Sequence, residues 1–374
     1  MLCGCPRWGA FGGKMKIIHC ADIHADSKMG THFSKEQAEK RRNEVVDTFA
    51  NMVKYAQGND VKVILIAGDF FDTKETQQKK IKQRIGYIIE QNSSIDFLYL
   101  RGNHDEDTSF LADKELSNLK YFSKSSWTKY SYDNIDIYGH EFSDKIPAGS
   151  FNELVPDPNH INIVTLHGQV ADYQSKKDAP DISLPKLANK NIDYVALGHI
   201  HDFKKEKLDA RGYWCYSGCL EGRGFDECGE KGFVLLEINN NKLNAEFIPI
   251  SKRTIHDIQV ELSGSLSYNE IMKKINESVA DIPQSDIVQI TLSGEITEET
   301  EIEPDSYVST IENNFFYVRI KDKTELKIDY EKYKNDISLK GEFIRLVNQN
   351  NGLSDEEKAK VIMTGIKALA GRLN

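Results

Sequence analysis

Five apolar runs of strand length recur along the chain, and each leads into polar residues of one chemical kind. Met15–Cys20 runs into Ala21-Asp22-Ile23-His24, and Val61–Ala67 into Gly68-Asp69-Phe70-Phe71-Asp72. Ile95–Leu100 leads to Gly102-Asn103-His104-Asp105-Glu106, Ile161–Leu166 to His167-Gly168, and Ile192–Leu197 to Gly198-His199-Ile200-His201. Near-continuous apolar strands are buried on both faces, so other layers must cover them. Helical patterns lie between them. Ser34 and Gln37 form a capping box, after which Val45, Phe49, Met52, Val53 and Ala56 recur at helical spacing. A second helix is expected over about 76–92. Strands alternating with helices predict an α/β layered core.

The carboxyl edge of such a sheet is where sites are built. Taken singly, each motif is ordinary, because Asp at a strand end commonly closes a turn and an isolated His is usually structural. Yet five of the ten histidines fall in these five motifs, which turn and cap chemistry does not explain. Carboxylate oxygens and neutral imidazoles suit Mn, Fe, Zn or Co, and the absence of a cysteine set disfavours a thiolate zinc site. D-x-H and H-x-H on extended chain would present alternate side chains on one side, so both could ligate. The donors outnumber what one ion can use. Two divalent ions about 3.5–4 Å apart require a bridging carboxylate, for which Asp69 is the natural candidate.

The set D-x-H, G-D-x-x-D, G-N-H-D, H-G and G-H-x-H over residues 22–201 resembles the calcineurin-like metallophosphoesterases. Within them the chain is similar to the SbcD-type nuclease group, whose archaeal and eukaryotic relatives are nuclease subunits of the double-strand-break repair complex. The resemblance is carried further by Tyr216-Ser217-Gly218, and by Phe225-Asp226-Glu227 leading to Lys231-Gly232-Phe233. It implies a layered β-sandwich flanked by helices. It implies that Asp22, His24, Asp69 and His201 hold one ion and Asp69, Asn103, His167 and His199 the other. His104 would contact the scissile phosphate and protonate the leaving oxygen, with Asp105 holding its tautomer. Manganese is the metal such an enzyme would prefer. The resemblance further implies 3′-to-5′ exonuclease action on duplex DNA ends, endonuclease action on single strands, an SbcC-type ABC ATPase partner and a homodimer. Where the group often has Leu-Gly after D-x-H, this chain has Ala25-Asp26, which bears on the loop's nucleic-acid contacts rather than on the ligands.

The remaining sequence divides the chain. Residues 1–14 read as an extra N-terminal segment or tag before a second start at Met15, with no apolar core of a signal peptide. Residues 15–250 form the phosphoesterase domain, 251–335 a small α+β capping domain, and 336–374 a helical tail. Hairpins are expected at Trp127–Phe142 and Gly232–Ile250, and the acidic stretch Glu295–Asp305 reads as a solvated loop. In the tail, Ser354 and Glu357 form a capping box, with stripes at Ile362, Ile366, Leu369 and Leu373 and at Leu339, Phe343, Leu346 and Val347. These either pack on each other or dock the ATPase. Lys40-Arg41-Arg42 and Lys79-Lys80-Ile81-Lys82-Gln83-Arg84 read as solvated helix faces, with a DNA-facing stripe as the alternative. Asp72 reads as a turn residue, Gly222-Arg223-Gly224 equally as a phosphate contact or a tight turn, and His19 and His140 as structural or surface residues.

A net charge of −10, from 48 basic and 58 acidic side chains, excludes coating of nucleic acid by bulk charge. Nothing approaches the roughly 18 apolar residues of a membrane span. The cysteines Cys3, Cys5, Cys20, Cys215, Cys219 and Cys228 form no C-x-x-C pair and are expected as reduced thiols in a cytoplasmic protein. Two other readings stay open: a phosphodiesterase or phosphatase on small substrates, and a non-catalytic scaffold for the ATPase.

Overall fold

The computed structural model describes residues 14–29, 33–72, 79–105, 116–142, 146–147, 149–170, 180–297, 299–327 and 329–369. Cys3, Cys5, Glu106, Leu373 and all of the N-terminal segment except Lys14 lie outside the described residues. The chain divides into two compact units, Met1–Thr254 and Ile255–Asn374.

The first unit runs β1 (Lys14–Cys20), α1 (Lys35–Gly58), β2 (Val63–Ala67), α2 (Lys79–Glu90), β3 (Asp96–Leu100), β4 (Leu119–Tyr121), β5 (Thr128–Tyr132), β6 (Ile135–Gly139) and β7 (Ile161–His167). It continues through β8 (Gln169–Val170), β9 (Asp181–Ile182), α3 (Leu184–Leu187), β10 (Tyr194–Gly198), β11 (Lys204–Lys207), β12 (Tyr213–Tyr216), β13 (Gly232–Asn239) and β14 (Lys242–Pro249). Two six-stranded sheets form, in the orders β14-β13-β1-β2-β3-β4 and β11-β12-β10-β7-β6-β5. They share one core, in which Ile17, Val63, Leu65 and Leu98 of the first sheet pack with Ile137, Ile163, Tyr194 and Ala196 of the second. The outer face of the first sheet is covered by Val45, Phe49, Met52 and Val53 of α1 and by Ile85 and Ile89 of α2. This is the expected helix-flanked sandwich. β1, β2 and β3 are parallel neighbours, as are β7 and β10, so the five chemistry-bearing strands end at one edge.

Local signals hold at several points. Ser34 N donates to Gln37 Oε1 at 3.0 Å and Gln37 N to Ser34 Oγ at 3.2 Å, closing the capping box of α1. The hairpins β5–β6 and β13–β14 turn at Asp133 and at Asn240-Asn241, all with positive φ, a region that Asn and Asp tolerate.

Arg41 corrects the reading of its cluster. It is neither solvated nor DNA-facing but fully buried. Its guanidinium meets Glu44 at 2.6 Å and Glu221 at 2.8 Å and also donates to Gly222 O at 2.9 Å. Arg253 closes the other side of Glu44 at 2.6 Å. Lys252 N also donates to Glu221. These contacts hold residues 251–254 in the first unit, so the division falls after Thr254 rather than after residue 250.

The second unit runs β15 (Ile255–Glu261), α4 (Tyr268–Ser278), β16 (Ile287–Ile296), α5 (Pro304–Ile311), β17 (Tyr317–Leu326), α6 (Leu339–Asn348) and α7 (Asp355–Leu369). Its three strands form one parallel sheet, β15-β16-β17. Of the stretch read as a loop, Glu295 and Ile296 belong to β16, and Pro304 and Asp305 open α5, whose Tyr307 and Ile311 are buried. Acidity hid that helix, because Pro and Asp in a first turn are favourable. Ile362 of α7 is buried with Ile344 and Val347 of α6 and with Tyr333. Leu339 and Leu346 remain 69% and 60% exposed.

Burial pushes the Glu44 carboxyl up, but Arg253 and Arg41 together hold it below its ordinary range. A depressed folded value gives stability that is present above the unfolded value, about 4.3, and is lost as pH falls through the folded one. Arg41→Met should cost about 3–5 kcal/mol in urea unfolding, because it strands buried carboxylates. The stability gap between the native chain and Glu44→Gln should narrow as pH falls below about 4. A gap that is flat with pH would show that Glu44 is not charged in the fold.

Candidate metal centre

The ends of β1 and β2 do not stay extended. Asp22, His24 and Asp69 have φ of 51°, 43° and 51°, and His199 has φ of 104°. The backbones of the two loops stay zipped together, with Asp22 N donating to Gly68 O at 3.0 Å, His24 N to Asp69 O at 3.0 Å and Ala25 N to Phe70 O at 2.9 Å. Asp22 and His24 share one donor group, as D-x-H on an extended chain also predicts, but the backbone that brings them together is not extended. Left-handed turns aim these side chains, and His199 and His201 point into different groups. Gly68, with φ of +101°, is required, since a Cβ there would also overlap His167. A Cβ on Gly102 would overlap the Asp69 carboxylate.

Two groups of donors result: Asp22, His24 and His201, and Asp69, His167 and His199, with the donor atoms in each group within 4.8 Å of one another. All but His201 are buried. Asp69 stands between the groups, with Oδ2 3.3 Å from His167 Nε2 and 3.9 Å from His24 Nε2. Asn103 Oδ1 lies 2.9 Å from His167 Nε2. His24 Nε2 faces His201 Nε2 at 3.3 Å.

The outer nitrogens of two histidines are fixed from behind. His167 Nδ1 lies 2.9 Å from the Ala67 carbonyl, and His201 Nδ1 lies 2.6 Å from Glu227 Oε1. Each partner accepts the Nδ1 proton and turns Nε2 inward, as outer partners of metal-bound histidines do. Asp22 takes the His199 N–H on both oxygens, at 2.9 and 3.0 Å. His104 N donates to Asp69 Oδ1 at 3.0 Å. Burial alone would strip the proton from His167, but Asp69 beside it pushes the imidazole up to about 9. The donor set thus fits a divalent cation in chemistry and in electrostatic demand.

Asp105 is corrected. Its carboxylate accepts from Phe70 N at 3.3 Å, Phe71 N at 3.0 Å and Gly102 N at 2.9 Å. It ties the loop after β2 to its own loop after β3. Burial, and then the nearby Asp69, push it up to about 6. The carboxylate beside His104 is that of Asp72, whose Oδ1 lies 3.4 Å from His104 Nδ1 and 3.4 Å from His24 Nδ1. The contact with His24 holds Asp72 down to about 2, although burial opposes it. Asp72 is therefore more than a turn residue. Arg223 is also part of the centre, 2.8 Å from Glu227, 3.1 Å from His201 Nδ1 and 3.7 Å from Asp72. Sequence reasoning missed this role for Asp72, Arg223 and Glu227. The second Asp of G-D-x-x-D, the glycine-bordered Arg223 and the Phe225-Asp226-Glu227 motif were the available signals. His19 and His140 lie apart from the groups: His19 is buried 2.9 Å from the Tyr194 hydroxyl, and His140 stacks on Phe142.

Two groups of carboxylates and imidazoles at the carboxyl edge of a helix-covered sandwich define a metal-dependent hydrolase of the phosphoester type. The model of the calcineurin-like phosphoesterase family matches residues 15–203, about half of the chain, and the chain belongs to that family. Family membership implies divalent metal ions and a phosphoester substrate. Among similar proteins is the uncharacterized metallophosphoesterase YhaO of Bacillus subtilis, 26% identical over 62% of this chain and 60% of its own length. The DNA double-strand break repair protein Mre11 of Sulfolobus acidocaldarius is 23% identical over 75% of this chain and 76% of its own length. The SbcD subunit of the SbcCD nuclease of Staphylococcus saprophyticus is 28% identical over 63% of this chain and 69% of its own length. The chain thus spans less than two thirds of YhaO.

Asp69→Ala should remove metal from both groups. Metal analysis by mass spectrometry after dialysis checks this, and two ions per chain in the variant would refute the bridging position.

Proposed function

We propose that the chain is a manganese-dependent DNA nuclease of the SbcD type, acting as a 3′-to-5′ exonuclease on duplex ends and as an endonuclease on single strands. The observation that carries this reading is the reach of the similarity. The match to Mre11 covers 75% of the chain, whereas the family model ends at residue 203. The likeness therefore continues past the phosphoesterase core into sequence that small-substrate chemistry does not require. A cytoplasmic homodimer working with an SbcC-type ATPase belongs to the same reading, as do a nuclease role for 15–250 and a capping role for 251–335. Among the described residues no helix is long and apolar enough to cross a membrane.

In this reading Asp22, His24, Asp69 and His201 hold one ion, and Asp69, Asn103, His167 and His199 the other. Once bound, the ions supply an acidified water and neutralise charge on the phosphoryl oxygens. The protein's own steps fall to His104 and its support. The His104 side chain is 40% exposed, so substrate can reach it. Asp72 anchors Nδ1, and Nε2 delivers a proton to the leaving oxygen. Arg223, tied to Glu227 and Asp72, fixes this edge of the centre rather than standing as a free cation.

The test is a Mn-supplemented assay on end-labelled linear duplex and on circular single-stranded DNA, with a chelated control. Hydrolysis of bis-(p-nitrophenyl) phosphate without cleavage of either DNA would sink the nuclease reading and leave a small-substrate phosphodiesterase. His104→Gln should lose about 10²–10⁴-fold in rate while keeping both ions. Asp72→Asn should lose less, through misplacement of His104. Loss of an ion in His104→Gln would make His104 a ligand instead.

The ATPase is proposed to dock on α6. Leu339 and Leu346 are exposed and two helical turns apart, so they share a face. Leu339→Glu with Leu346→Glu should abolish co-purification with the ATPase and leave DNA cleavage intact. Retained co-purification would exclude this face.

A further inference from the structure

A groove of the second unit lies between β17, the end of β16 and α7, and encloses about 650 Å³. Its apolar lining comes from Ile296, Leu326, Met363 and Ile366. Its acidic lining comes from Glu299, Glu301, Asp322, Glu325, Asp355 and Glu356. Within the chain, Glu299 is answered by Lys332 and Glu356 by Lys360. Asp355 and Glu356 also have a local reason to be there, since acids favour the first turn of a helix. Asp322 accepts hydrogen bonds from Thr324 N at 2.9 Å and Thr324 Oγ1 at 2.7 Å, whereas Glu325 has no such local reason. Both lie on β17, and among the described residues neither has an ion-pair partner.

An acidic rim over an apolar floor selects its occupant. Polyphosphate is repelled, so this face does not take DNA. A small polyamine would satisfy the rim but leave the floor wet. An apolar peptide would fill the floor but desolvate carboxylates that are left unanswered. We propose that this groove binds a cationic amphipathic helix of a partner protein, with apolar residues on the floor and Lys or Arg toward Asp322, Glu325 and Asp355. A second copy of this chain is a poor source. The basic amphipathic helix it could offer, α2, already buries Ile85 and Ile89 in its own core. The proposal goes beyond the nuclease reading and does not rest on it, and it concerns a surface other than the exposed Leu339–Leu346 face.

The test uses the full chain and a fluorescein-labelled synthetic helix with Leu on one face and Lys on the other, alongside its Glu counterpart, followed by anisotropy. The Lys peptide should bind, more weakly with added salt, and the Glu peptide should not. Asp322→Lys with Glu325→Lys, at exposed positions, should weaken binding about tenfold or more. Met363→Glu should do the same, provided circular dichroism shows the native fold. The surface change Glu277→Lys and the α6 change Leu339→Glu should leave affinity unchanged. Equal losses from Glu277→Lys, equal binding of the two peptides, or native affinity in the Asp322/Glu325 double variant would each overturn the proposal. So would a concentration-dependent doubling of mass that the double variant abolishes, because the groove would then hold a second copy.

Discussion

A buried carboxylate set between imidazoles of two donor groups governs how the rest of the first unit is arranged. Asp69 lies 3.3 Å from His167 Nε2 and 3.9 Å from His24 Nε2, and accepts the His104 N–H at 3.0 Å. Leaving that charge unpaired in a dry interior would cost several kcal/mol. The sandwich answers it with imidazoles from two other strand ends, which is possible only because β1 and β2 end beside β7. Two imidazoles of the centre are in turn held from behind, His167 by the Ala67 carbonyl and His201 by Glu227. The outer partners thus belong to the same constraint as the donors.

Backbone conformation is the second part of that constraint. Asp22, His24, His199 and Asp69 sit at positive φ, where non-glycine residues are uncommon and cost of order 1–3 kcal/mol each. Such conformations persist only where the surroundings over-determine them. Here the two loops continue to exchange backbone hydrogen bonds after their strands end. Asp105 accepts two N–H groups of the loop after β2 and one of its own loop after β3, tying that neighbouring loop to them. Asp105 is therefore structural to the centre in a direct sense: it fixes the loops that aim the donors. Asp72, lying beside both His24 and His104, couples the position of a donor to the position of the residue proposed to move the proton.

These facts explain which parts were legible in the sequence. The layered fold and the donor set rest on local features, apolar runs and the residues directly after them, so chain order alone exposes them. The split of His199 and His201 between two groups agrees with the family resemblance, but extended-strand geometry would have put them together. The roles of Asp72, Arg223 and Glu227 depend on which side chains meet after folding. Arg223 and Glu227 sit in a glycine-bordered segment about 150 residues from Asp72, and no spacing rule links such positions. Arg41 failed for the converse reason. Its neighbours in sequence are charged, yet Glu44 and Glu221 make a buried arginine favourable.

In the proposed nuclease reading, charge distribution governs how an acidic chain would meet a polyanion. With a net charge of −10, long-range attraction to phosphate is absent, so association has to come from short-range features. The two carboxylates of the centre are one source, because they draw divalent cations whose charge reverses the local field. The α2 cluster is the other. Lys79 and Lys80 are exposed, and Lys82 lies over Phe71 at 5.2 Å, next to Asp72. Arg84 is answered by Asp47. In the same proposed reading, cations beside one edge of the centre would favour approach of a polyanion along that edge.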